Sequence, residues 1–300
     1  MTDIISQLTA KTAPHWKLVA LSLVVGLSGC SLVVTGYNNA PGWLMFTWVN
    51  PHLDLNAAQE EKVSTDMQSL LAWHRQTQLP QYILWLQRMQ TLAPQNIQAE
   101  QACDLFEDMR ASLPPLLAQV ELPMAQLALT LTPKQLTHLK DRLDKNNQTW
   151  RRDWKMGESQ AAQSDVQVEK GQENAERFYG RLSKQQRLLL RDLAVNSGYD
   201  PDKTYQERLR QQADAVQVLQ RIAIDKPDVT QAREQIHAWM ERLMNTPEPG
   251  YAAYLKKRQR LNCEAAAQLH NTTTPEQRMQ AVKVLKGYEQ DLRELIKPAN

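Results

Sequence analysis

Glycine and phenylalanine are scarce in this chain, with 10 and 3 copies in 300 residues. Alternation of apolar with polar residues is almost absent, which argues against half-buried strands. No sign of charge dominates: 35 basic side chains face 33 acidic ones, and the two interleave. That balance leaves no electrostatic footprint for nucleic acid and marks solvated helix faces. The apolar run from Leu18 to Leu27 is about ten residues, too short to cross a hydrocarbon core of about 30 Å as a helix. There is no His-Glu-x-x-His, no Gly-x-Ser-x-Gly elbow, no phosphate-cradling glycine loop and no Cys-x-x-Cys. The adjacent acids Glu60-Glu61 and Glu107-Asp108 diverge on a helix, so neither pair shares a proton. The expectation is a protein with no metal, no cofactor and no enzymatic activity.

What is present is helical periodicity. Leu136, Leu139, Leu143, Trp150 and Trp154 recur on one face, as do Tyr205, Leu209, Ala213, Val216 and Leu219. Val282, Leu285, Leu292 and Ile296 form a third stripe. Four helix starts carry a capping box, with Ser, Thr or Asn three residues before Gln. These are Asn56/Gln59, Thr132/Gln135, Ser183/Gln186 and Thr274/Gln277, three of them preceded by Leu. Breaks are expected near Ala93-Pro94, Leu113-Pro114-Pro115, Asp200-Pro201, Lys226-Pro227 and Thr246 to Gly250. The polar stretch Gly157 to Gly180 reads as an exposed helix or a mobile connection. The chain is predicted to be all-α, a bundle of about eight to ten helices.

The first residues have a different character. Lys11, His15 and Lys17 lead into the apolar run, and Leu27-Ser28-Gly29 lead into Cys30. A basic start, a short apolar middle and small residues at the end describe an export signal. The cysteine after them resembles the lipobox of bacterial lipoproteins, which implies cleavage before Cys30 and a covalent lipid on it. Ser31 in place of an aspartate implies, by the same resemblance, the periplasmic face of the outer membrane. Removal of residues 1–29 takes away Lys11, Lys17 and Asp3 and leaves the charge balance near neutral. Two cysteines then remain, Cys103 and Cys263, in an oxidising compartment. A disulfide between them is expected, with two buried free thiols as the alternative. The organisation expected is a signal over 1–29, a lipidated tether over 30–54 and one helical domain over 55–300.

Candidate binding residues are few. Tyr37, Trp43, Leu44, Met45, Phe46, Trp48 and Val49 form an aromatic, apolar segment, which either lies on the lipid surface or packs on the body. Trp150, Arg151 and Trp154 read first as a core pair flanked by solvated arginines, and second as a surface where arginine stacks on an aromatic face. Asn146, Asn147 and Gln148 before them suit a groove or a wet face. Of the histidines after Cys30, namely His52, His74, His138, His237 and His270, none has ligand spacing. His138 and His270 are placed at helix surfaces, and His270 joins Trp150, Arg151 and Trp154 as a candidate for binding.

Several runs resemble an uncharacterised family of Gram-negative envelope lipoproteins. They are Gly36-Tyr37-Asn38, Trp73 to Pro80, Leu129 to Pro133, Tyr179 to Leu182, Asn262-Cys263 and Leu269 to Arg278. Nearly all of the exported chain takes part, and the run His270 to Arg278 is its most specific piece. The family implies no catalytic residue. Leu131 to Gln135, and Leu182 to Gln186 with Ser for Thr, are also similar to the Leu-Thr-x-x-Gln pattern of small helical periplasmic stress chaperones. The resulting expectation is a lipid-anchored envelope protein that binds another envelope protein or maintains the envelope. A chaperone-like binder of unfolded clients and an envelope hydrolase assembled in space are the alternatives. Nothing in the residues sets an oligomeric state.

Overall fold

The computed structural model describes residues 36–37 and 39–297; the export signal expected over 1–29 and Cys30 lie outside the described residues. A short helical collar comes first, made of Ala40–Leu44, a π-helical turn Met45–Val49 and Asn50–Leu53. Eleven longer helices follow: α1 (Ala57–Thr77), α2 (Leu79–Leu92), α3 (Ala99–Ala111), α4 (Leu113–Thr130), α5 (Pro133–Asp153) and α6 (Gln160–Tyr179). The remainder are α7 (Lys184–Val195), α8 (Pro201–Asp225), α9 (Val229–Met244), α10 (Pro249–Asn271) and α11 (Pro275–Ile296). The described residues contain no strand, and the chain is an all-α multi-helix bundle.

The count exceeds the expected eight to ten because Pro80 also divides the chain. Its missing N–H interrupts the helical ladder, and α1 passes into α2 through Gln78 with its backbone still helical. The stretch after Gly157 is helical: α6 buries Val166 and Ala175 and leaves most of its surface wet. All four capping boxes form with both reciprocal bonds. Asp200, Asp228 and Ser159 cap α8, α9 and α6 through single side-chain bonds. Gly180 ends α6 at φ 69° and ψ −156°, a region that side chains with a Cβ do not enter without strain.

The helices gather into two packing groups. In one, α2 lies along α11, α6 along α7 and α11, and α3 along α10. Its core includes Leu86, Ala93, Ala281 and Leu285. In the other, α4 packs on α9 and α8, and α5 on α8 and the last turn of the collar. Ala125, Ala128, Val218, Ile222, Ala232 and Ile236 meet there. The small alanines let α4 approach its neighbours closely. Helix α1 touches α2 and α4 and so joins the groups. The stripe read along α8 is only partly the buried one: Val216 is buried, Ala213 is exposed, and Glu207 and Arg208 are buried instead.

The capping glutamines also do a second job. Gln59 Oε1 accepts the N–H of its own cap, Asn56, and the Nε2–H of Gln135 at 2.7 Å. Gln135 Oε1 accepts from its own cap, Thr132, while its Nε2 donates to the Asp54 carbonyl. Gln59 Nε2 donates in return to the Thr130 carbonyl. Gln186 and Gln277 repeat the arrangement, with Nε2 donating to the Thr272 and Arg181 carbonyls respectively. In every case the acceptor lies two residues before the partner helix's cap. Two clasps therefore tie α1 to α5 and α7 to α11 at their N-termini.

Candidate functional site

Trp150 and Trp154 sit on one face of α5 and at its end. Trp150, 3% exposed, stacks on Tyr205 with ring centroids 5.3 Å apart. Trp154 meets Trp150 at 5.7 Å and Tyr199 at 4.7 Å. Tyr254, from the start of α10, accepts the Asp200 N–H at 2.8 Å and so holds the turn into α8. The result is an aromatic ladder between α5, α8 and α10. Cations lie over its rings: Arg151 over Tyr205 at 5.6 Å, Lys170 over Trp154 at 5.4 Å, and Arg258 over Tyr199 at 4.6 Å. Such contacts contribute about 0.5–2 kcal/mol each, most where water is excluded.

Among the described residues no carboxylate lies within ion-pair distance of Arg151, Lys170 or Arg258. Nor does one approach Arg208, which is 8% exposed and donates from Nε to Asn147 Oδ1 at 2.6 Å. Burial pulls its pKa down to about 10, which leaves it charged at neutral pH. Asn147 and Gln212 bond each other reciprocally beside it. Trp154 Nε1 and Arg258 Nε are buried and have no acceptor. The ladder thus has unpaired positive charge at its rim, with Arg151 exposed, which suits acidic groups, while the spare Trp154 and Arg258 donors stay buried.

His270 is not part of this site. The sequence placed it at a helix surface; it is 5% exposed and belongs to the other packing group. It donates from Nε2 to the Gln95 carbonyl at 2.7 Å, and its Nδ1 accepts from the Tyr179 hydroxyl at 2.9 Å. Packing of α10 against that loop turns its ring inward, and burial lowers its pKa. His74 is also buried, between the Tyr37 hydroxyl at 2.9 Å and that of Tyr82 at 3.3 Å. Burial takes its pKa down to about 4. His237 behaves oppositely: its bond to the buried Glu121 carboxylate raises its pKa, and Arg233 shares that carboxylate.

The collar is fastened at both ends. The Tyr37 hydroxyl donates to the Leu71 carbonyl of α1, and Arg75 lies over its ring at 5.3 Å. At the far end His138 donates to the Pro51 carbonyl, and Asn50 bonds Glu60 and the Leu55 N–H. His52 donates from Nδ1 to the Trp48 carbonyl and accepts Asn146 Nδ2 at 2.9 Å. The ends of this segment pack on the body, while Trp43 and Phe46 are 53% and 78% exposed.

Cys103 and Cys263 form a disulfide with Cα atoms 5.2 Å apart, joining α3 to α10 across 160 residues. Among the described residues no group of three His, Cys, Asp or Glu side chains converges for a metal. No helix there is long and apolar enough to cross a membrane.

A family model described as a family of unknown function, DUF6279, matches residues 51–236. The chain belongs to this family. No curated protein and no solved structure matches it. The DUF6279 match runs from the last turn of the collar into α9 and contains Trp150, Arg151 and Trp154, whereas Cys263 and the run His270 to Arg278 lie beyond it. Packing ignores that boundary, since the disulfide and the Gln186–Gln277 clasp both cross it. Sequence reasoning singled out the two tryptophans and Arg151 but missed Arg208, Arg258 and the tyrosines. Those come from segments about 50 to 100 residues further on, and no local pattern announces that they meet.

Proposed function

We propose that this DUF6279-family protein is a lipid-anchored, non-enzymatic binding component of the envelope. Its processed N-terminus is Cys30, held at the periplasmic face of the outer membrane by acyl chains. The body over residues 55–300 engages another envelope protein through the cation-rimmed aromatic ladder. The observation that carries this reading is the set of unpaired cations, Arg151, Lys170 and Arg258, stacked on aromatic faces beside the buried Arg208. Charge complementarity calls for a partner with an acidic surface. The histidines support the non-catalytic side of the reading: His52, His74 and His270 are engaged within the fold as neutral rings. The Leu-Thr-x-x-Gln glutamines add no support for client binding, because the clasps take up their side chains.

Site-specific photocrosslinking in cells, from a residue beside Arg151 in the full chain, tests this. The expected outcome is one recurrent crosslinked envelope protein, lost at least about tenfold when Arg151 and Lys170 are both changed to Glu. No crosslinked partner, together with unchanged envelope permeability in a deletion strain, overturns it.

A further inference from the structure

We infer that Trp43 and Phe46 of the collar enter the bilayer surface and set how the body stands on the membrane. The inference rests on the lipid anchor proposed above. Trp43 and Phe46 are three residues apart, so they share one helical face, and among the described residues they are the two aromatic ones in the set of exposed large apolar side chains. The other exposed ones, such as Leu84, Leu188, Ile224 and Met279, are aliphatic and scattered over separate helices. From Ser31 to Leu53 the sequence contains no Asp, Glu, Lys or Arg. His52, the titratable ring that the collar itself contributes at its foot, has its pKa lowered by burial. The segment itself therefore carries no fixed charge against partition into a lipid interface, where Trp is favoured. The charged neighbours Glu60, Arg75 and Arg142 meet it at Asn50, Tyr37 and His52, away from Trp43 and Phe46.

Chain length argues for the same occupant. Trp43 follows Cys30 by 13 residues, a reach of at most about 45 Å if fully extended. A lipid on Cys30 thus keeps the collar near the bilayer at high local concentration. The collar is also fixed to the body, by Tyr37 on α1 and by Pro51 and His52 on α5. Insertion of its two rings would orient the whole body, which acyl chains alone cannot do.

The test uses the acylated protein purified from membranes and placed in vesicles of phosphatidylethanolamine and phosphatidylglycerol, with or without bromine on the acyl chains. The expected result is bromine quenching of part of the tryptophan emission. That quenched part falls about twofold or more in Trp43→Phe, and again in Phe46→Asp, where Trp43 remains but its neighbour opposes insertion. Equal quenching in the parent and in Trp43→Phe overturns the inference, as does absence of quenching in a protein whose intact mass includes acyl chains. A mass without acyl chains overturns the anchor instead, so the two failures are told apart.

Discussion

His74 shows how burial converts a titratable ring into a pH-dependent fastening. Its pKa stands at about 4 against 6.5 when solvated, because the fold strips water from the charged form. Between those values the unfolded chain binds the extra proton, so its contribution is complete above pH 6.5 and is lost as pH falls towards 4. At about 1.36 kcal/mol per unit, the loss is roughly 3 kcal/mol. Urea unfolding at a series of pH values should show this decline, and His74→Gln should flatten it. His52 and His270, whose pKa values are also lowered by burial, add slope of the same sign. His237 works the other way: the bond to Glu121 raises its pKa, so its contribution is complete below the solvated value and fades as pH rises through the folded one. The same burial makes Arg208 unusual. Its neighbours are amides instead of carboxylates, so its buried charge is solvated by dipoles.

At the scale of elements, the glutamine clasps account for how helix starts find one another. Each Gln uses its oxygen on its own cap and its amide on the partner, so local and long-range bonds share one side chain. A Gln→Glu change separates the two roles: the carboxylate still accepts from the cap, but an oxygen now faces the partner's carbonyl. Gln59→Glu should therefore cost about 1–3 kcal/mol. Gln277→Glu should cost less, because Gln277 is only half-buried. Denaturant midpoints of the two variants check this, and equal, negligible losses would show that the clasps contribute nothing. The four boxes were legible from sequence because capping spans three residues. Their pairing was not, since Gln59 and Gln135 are 76 residues apart. Asn147 illustrates the same limit: on sequence it suited a groove or a wet face, and packing against α8 buries it to 5%.

For the molecule as a whole, chain order and spatial order differ. The chain passes from α2 and α3 to α4 and α5, back to α6 and α7, out to α8 and α9, and back to α10 and α11. The Cys103–Cys263 bond closes this path by linking an early helix to a late one. In the chain-entropy account a loop of that length stabilises by at most about 5 kcal/mol. Replacing both cysteines with Ala should lower unfolding stability by up to that amount and raise proteolysis by a periplasmic-type protease. Unchanged stability in the double variant would mean that the helices hold α3 on α10 unaided.

By itself the sequence determined the helical class, the sites where helices begin, and the aromatic, uncharged character of the stretch after Cys30. Each of these is written in neighbours a few residues apart, where spacing and capping act directly. Only the tertiary structure decided which helix starts clasp, which histidines lose their charge, and that unpaired arginines collect on an aromatic ladder. Those outcomes depend on burial and on partners drawn from distant segments, and water is removed from a side chain only when the whole bundle closes around it.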